Sequence, residues 1–152
     1  APSGSAQVKL FRRAMTEAGI RPEEVGMVEG HGTGTRLGDR TELQSLAETY
    51  GDTEPGDGAM LGSVKSNLGH ALAAGGALGL AKILVAAEHS AIPPTLHATD
   101  ASPEINWEKQ GLRLATTLTP WPAVDGQRVA ATSAFGIAGT NAHIIVSLPE
   151  VA

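Results

Sequence analysis

Two periodicities alternate along this chain, and that alternation limits what it can fold into. Val8, Phe11, Met15 and Ala18 recur at helical spacing after Ser3 and Ser5, either of which can cap a helix, and Gly19 supplies the stop. Val25 to Glu29 is a short strand-like run. Leu43, Leu46, Ala47 and Tyr50 then line one face of a second helix, which ends at Gly51. Asp39 and Glu42 look like the cap and third position that start it. Residues 59–64 read as a strand, residues 69–90 as a long helix of small and apolar residues, and Pro93-Pro94 as its end. Residues 51–58 read as a polar turn and 95–112 as an irregular excursion. Two final strands, 129–134 and 142–148, flank a glycine turn short enough for an antiparallel pair. The order αβαβαββ predicts an α/β domain, a layered mixed sheet packed by helices.

Composition excludes several functions. The 152 residues suit one domain, with 41% hydrophobic and 18% charged residues, as in a soluble globular protein. Aromatics are 3% and the net charge is −5, which argues against a nucleic-acid partner. There is no cysteine, so disulfides, thiolate metal sites and cysteine catalysis are excluded within these residues, in keeping with a reducing, cytoplasmic setting. The N-terminal residues show no signal-peptide pattern. The apolar stretch 68–87 contains His70 and Lys82 and reads as a core helix rather than a membrane span. The five histidines have no metal-ligand spacing.

Three polar segments follow or join predicted strands, where active-site groups of α/β domains gather. They are Gly30-His31-Gly32-Thr33-Gly34-Thr35, Lys65 to His70, and Phe135 to Asn141. His31 between two glycines either faces a cleft or bonds its own turn. Thr33 and Thr35 either bind a ligand or cap the turn. His70 is expected at the N-terminus of the long helix, whose positive end would keep its imidazole neutral. Lys65 is either a group acting on His70 or an exposed strand-end lysine. Asp39 and Glu42 are read as helix-start residues rather than acids or ligands. His143 is expected to be packed or bonded locally. Dinucleotide, P-loop and serine-hydrolase motifs fail: Thr35 stands where a third glycine is needed, Val64 precedes Lys65-Ser66, and no G-x-S-x-G occurs.

Together these segments resemble the β-ketoacyl synthase (ketosynthase) family. Val28-Glu29-Gly30-His31-Gly32-Thr33-Gly34-Thr35, with Leu37-Gly38-Asp39, is similar to its first histidine motif. Lys65-Ser66-Asn67-Leu68-Gly69-His70, with Ala73-Ala74 and Gly76, is similar to its second. Ser133-Ala134-Phe135-Gly136, followed by Gly139-Thr140-Asn141-Ala142-His143, is similar to its closing glycine motif. Pro94-Thr95-Leu96-His97 and Trp121-Pro122 extend the likeness over essentially the whole chain and favour the type I polyketide synthase branch. Departures are Arg40-Thr41-Glu42 for the usual Pro-Ile-Glu, Leu72 where Glu or Gln is frequent, and Ile137-Ala138 in the last turn.

The resemblance implies a thiolase-like fold, of which residues 1–152 would be the C-terminal half. The family's cysteine would lie in an N-terminal half outside these residues, so the chain taken alone is expected to be inactive. The implied reaction is a decarboxylative Claisen condensation of an acyl-cysteine thioester with a malonyl-type extender. The extender rides on the phosphopantetheine of an acyl carrier protein, with no cofactor or metal bound directly. His31 and His70 would be donors to the enolate oxygen, and Lys65 would tune His70. Thr33 and Thr35 would bind the pantetheine arm. Phe135 would lend its N–H to the thioester oxyanion and its ring to a gate, with Gly136 giving the loop freedom. Expected partners are the N-terminal half, the carrier protein and, for the intact domain, a second copy. The rivals are a non-catalytic chain-length or docking partner and a thiolase, which normally has a C-terminal cysteine that this chain lacks.

Overall fold

The computed structural model describes residues 2–51, 58–98, 107 and 111–150. The 51–58 turn and the 95–112 excursion fall largely outside them. Helix α1 spans Gly4–Ala18 and buries Val8, Phe11 and Met15. It ends because Gly19 takes the left-handed conformation (φ 66°) and its N–H reaches back to the carbonyls of Met15 and Thr16. The expected N-terminal serine cap does not form: Ser3 occupies the cap position, but its hydroxyl meets the Ser5 hydroxyl at 3.4 Å and caps no helix N–H.

Strand β1 (Val25–Glu29) follows a 3-10 turn at Pro22–Glu24. Helix α2 spans Arg36–Tyr50, β2 Met60–Gly62, the one-turn helix α3 Lys65–Leu68, and helix α4 Gly75–Glu88. Short strands β3 (Ala91–Ile92), β4 (Arg113–Leu114) and β5 (Thr119–Pro120) were not anticipated. The chain closes with β6 (Gln127–Phe135) and β7 (Asn141–Pro149).

The main sheet has the order β4-β2-β1-β6-β7. Its first four strands are parallel, and β7 pairs antiparallel with β6, placing Ser133 opposite His143 and Phe135 opposite Asn141. Strand pleating sends alternate residues into two cores. Val28, Leu61, Val129 and Ala131 meet Phe11, Leu46 and Tyr50 from α1 and α2. Met27, Met60 and Ala130 meet Ile83 and Ala86 from α4, together with Trp121. Cover on both faces explains why the central strands read as continuous apolar runs.

Two predicted boundaries move. Helix α2 starts at Arg36, with Thr35 in the cap position, so Asp39 and Glu42 lie inside it. Gly34 (φ 76°) turns the chain early, and Asp39 accepts the Gly34 N–H at 3.1 Å from within the first turn. The long helix starts at Gly75, not Gly69: Gly69 (φ 75°) breaks the chain after α3, and a 3-10 turn at Leu72–Ala74 intervenes.

Candidate active site

The glycine segments meet at the C-terminal ends of β1, β2 and β6, as expected of an open α/β sheet. Gly30 continues the ladder through its N–H to the Gly62 carbonyl (2.8 Å). The chain then turns into the His31 loop, where Gly32 has φ 43° and a Cβ would lie 2.8 Å from Ser63 Oγ. Glu42 holds this loop from below: its carboxylate accepts the N–H of His31 (2.6 Å) and of Gly32 (2.9 Å). Glu42 is buried, and burial pushes its carboxyl up to about 7 against the pull of those two N–H groups. The helix-start reading of Glu42 is therefore corrected: it is part of the site's frame.

His31 and His70 stand edge to face with ring centroids 5.8 Å apart. The Phe135 ring lies 5.3 Å from His31 and 6.2 Å from Phe11. His31 Nδ1 accepts the N–H of Phe135 at 3.3 Å, and His70 Nδ1 accepts the N–H of Leu72 at 3.0 Å. A neutral imidazole that accepts at Nδ1 carries its proton on Nε2. Both rings are thus set as Nε2–H donors by main-chain groups. For His70 this replaces the expected helix end, since the ring precedes α4 by five residues. Burial, then the charge of Lys65, then His70, lowers His31 to about 4.

Lys65 opens α3 and lines a cavity of about 410 Å³ with Asp39, Glu42 and Ser66. Its Nζ comes within 4.0 Å of where a Cβ on Gly75 would stand, at the start of α4, and its charge acts on His31. Burial lowers the Lys65 pKa, opposed by Glu42, Glu29 and Asp39. Asp39 is raised, chiefly by burial, against the Gly34 and Thr35 N–H groups and Lys65.

A second cleft of about 470 Å³ is lined by His31, Thr33, Thr35, Phe135, Gly136 and Asn141, among others. The Thr33 and Thr35 hydroxyls are 3.2 Å apart at its wall. The Phe135 N–H, expected as a free oxyanion donor, is committed to His31. Its ring is packed between His31 and Phe11, while Ile137 at the tip of the same turn is fully exposed. The turn itself is closed by Gly136 N–H to Thr140 O (2.7 Å) and Gly139 N–H to Gly136 O (2.9 Å).

His143 is buried and held locally, Nε2 to Tyr50 Oη (2.5 Å) and Nδ1 to Ser133 Oγ (2.9 Å). Among the described residues no group of three or more His, Asp or Glu could hold a metal ion, and no helix is long and apolar enough to cross a membrane. Sequence reasoning missed Glu42 as a loop holder. It also missed Glu29 and Lys82, which form an ion pair of 2.7 Å below the site.

Residues 1–99 match the family profile "Beta-ketoacyl synthase, C-terminal domain". The chain is 48% identical to erythronolide synthase EryA3 of Saccharopolyspora erythraea over 98% of its own length and 5% of that protein's. It is 47% identical to mycoketide-CoA synthase of Mycobacterium tuberculosis, over 99% and 4% respectively. Among solved structures, the ketosynthase from module 6 of the Bacillus subtilis bacillaene synthase superposes with a TM-score of 0.92 at 40% identity. That match covers 99% of this chain and 29% of the other. The oxazolomycin ketosynthase domain OzmH KS7 of Streptomyces albus gives 0.90 at 39%, covering 99% and 27%. The chain thus spans a small part of the curated relatives and under a third of the ketosynthase chains. The αβ layering, the histidine loops and these likenesses converge: the chain belongs to the β-ketoacyl synthase family, as a thiolase-like C-terminal ketosynthase domain of the type I polyketide synthase kind.

Proposed function

We propose that these residues supply the enolate-stabilising half of a decarboxylating ketosynthase. The observation that carries this reading is the pair of imidazoles, 5.8 Å apart, each with Nδ1 occupied by a backbone N–H and Nε2–H left to donate. In the reaction the bond between Cα and the carboxylate of a malonyl-type thioester breaks. CO₂ leaves, and the electron pair passes into an enolate. The enolate carbon then attacks the acyl thioester held on a cysteine elsewhere in the intact domain, and the C–S bond breaks to return the thiolate. Charge develops on the enolate oxygen, where a preorganised donor is worth about 3–4 kcal/mol. His31 and His70 are the donors. Burial keeps His31 neutral, and the charge of Lys65 adds to that effect.

Thr33 and Thr35 line the 470 Å³ cleft with hydroxyls suited to the uncharged amides of a pantetheine arm presented by an acyl carrier protein. With the Phe135 N–H engaged, Phe135 acts by holding the His31 ring, and gating passes to the exposed tip of its turn at Ile137. The reading places the work in the cytoplasm, in an intact domain that pairs with a second copy. A non-catalytic docking role would not require two imidazoles held in one tautomer. The test is a decarboxylation assay on the intact ketosynthase with a malonyl-type thioester. CO₂ release should fall sharply in His31→Ala and His70→Ala, and unchanged release in both would reject the assignment.

A further inference from the structure

Two opposite charges sit in otherwise apolar elements directly beneath the histidine loops. Glu29 ends β1 and is 1% exposed at its side chain; Lys82 lies in α4 and is 7% exposed. Lys82 Nζ meets Glu29 Oε2 at 2.7 Å, and Glu29 Oε1 accepts the N–H of Val64. Glu29 is two residues before His31, and Val64 immediately precedes Lys65, so one carboxylate ties the root of the His31 loop to the root of the Lys65–His70 segment. In the sheet Glu29 sits between Gly62 and Thr132.

The surroundings are shaped for this pair. A Cβ on Gly62 would come within 2.9 Å of Lys82 Nζ and of Thr95 Oγ1. A Cβ on Gly79 would come within 3.2 Å of Glu29 Cγ and 2.7 Å of Thr132 Oγ1. Desolvating two charges is costly, and apolar residues of equal volume often serve stability as well or better. Stability alone therefore does not account for them. Glu29 also contributes to the negative field that favours the charged form of Lys65, and Lys65 in turn acts on His31.

We infer that Glu29 and Lys82 are positioning residues for condensation, setting the spacing of the two histidine-bearing segments through one buried carboxylate. This rests on the enolate-hole reading above. The loading of an acyl group onto the cysteine does not use the enolate hole, so the pair affects condensation selectively.

The test uses the intact ketosynthase domain containing this chain, with acyl loading and condensation measured separately. In Lys82→Ala, kcat for condensation should fall about 100-fold, as for displaced catalytic groups. Acyl loading and KM should stay near the unmutated values. Added n-propylammonium, which supplies the three carbons and the ammonium missing from the variant, should restore condensation with saturation. Unchanged condensation, an equal loss of loading, or no restoration by the amine would each overturn the inference. If Lys82→Ala does not fold, the uncharged Glu29→Gln, Lys82→Met double variant keeps the volume and the acceptor for Val64. It should be as stable as the unmutated domain yet slow in condensation, and full condensation would overturn the inference. Failure of the underlying reading is distinguishable, because His31→Ala and His70→Ala would then leave CO₂ release from malonyl thioester unchanged.

Discussion

The main-chain N–H of Phe135 donates to Nδ1 of His31 across 3.3 Å, so the closing strand hairpin decides which nitrogen of the first histidine carries the proton. Leu72 does the same for His70. Removing an Nε2–H donor should therefore harm the enolate step selectively. In the intact domain, His31→Ala should lower condensation about 10²–10³-fold. Acyl loading should fall much less, as followed with a labelled acyl thioester. Equal loss of both steps in a folded variant would refute this division of labour.

Glu42 gives a second prediction. It accepts two N–H groups of the His31 loop from a buried position. Glu42→Ala leaves both donors without that acceptor, at a cost of about 1–3 kcal/mol for each that stays buried. Urea denaturation of the intact domain should show a loss of at least about 1 kcal/mol. A loss within a few tenths would mean that water replaces the carboxylate freely.

The histidine loops were legible as motifs, and β1, β6, β7 and α1 as periodicities, because these depend on local pattern. Glu42 was not legible, since Asp39 and Glu42 at that spacing imitate a helix start. Only the tertiary approach of the His31 loop recruits Glu42 elsewhere. His70 was misplaced for a related reason: Gly69 at φ 75° breaks a stretch whose composition reads as one helix. Glu29 and Lys82 did leave a signal, a lone acid in an apolar strand and a lone base in an apolar helix. Pairing them requires knowing that α4 packs across β1.

His143 makes a pH prediction. Burial lowers it from its ordinary 6.5 to about 4. Between those values the unfolded chain binds a proton that the fold does not, so its contribution is complete above about 6.5 and is lost as pH falls toward 4. Glu42, raised to about 7, works in the opposite sense over 4.5–7, so the difference between variants is the quantity to measure. On acidification from 7 to 4 the unmutated domain should lose on the order of 3 kcal/mol more than His143→Gln. Parallel curves for the two would contradict the assignment.

Gly79 carries a packing prediction. As a helix-interior residue it should gain roughly 1 kcal/mol on replacement by alanine. Its Cβ, however, would meet Thr132 Oγ1 at 2.7 Å and Glu29 Cγ at 3.2 Å, and overpacking of this kind costs about 1–3 kcal/mol. Gly79→Ala should therefore be net destabilising in thermal unfolding, with Thr132 the first group to shift, and should slow condensation, since the Glu29 side chain must also give way.

The described chain also leaves apolar side chains in water beside the histidines. Leu72 is 77% exposed and Leu68 65%, and Leu84 and Val85 of α4 are exposed as well. Apolar patches beyond roughly 300–600 Å² mark surfaces that need a partner. Solved ketosynthases contain more than twice as many further residues as this chain covers, and those residues are the natural cover for such a surface. Chemistry points the same way. The 152 residues contain no cysteine to carry an acyl thioester. The buried Ser133 beside His143 lies in β6 with its hydroxyl turned to that ring, not to either cleft. Purified as these residues alone, the chain should take up no label from an acyl thioester, and its mass in solution should exceed that of a monomer. Adding the N-terminal half of the same ketosynthase should return it to a defined complex and restore labelling, on that half. Covalent labelling of the isolated chain would refute the chemical claim, and a stable monomer indifferent to the N-terminal half would refute the structural one.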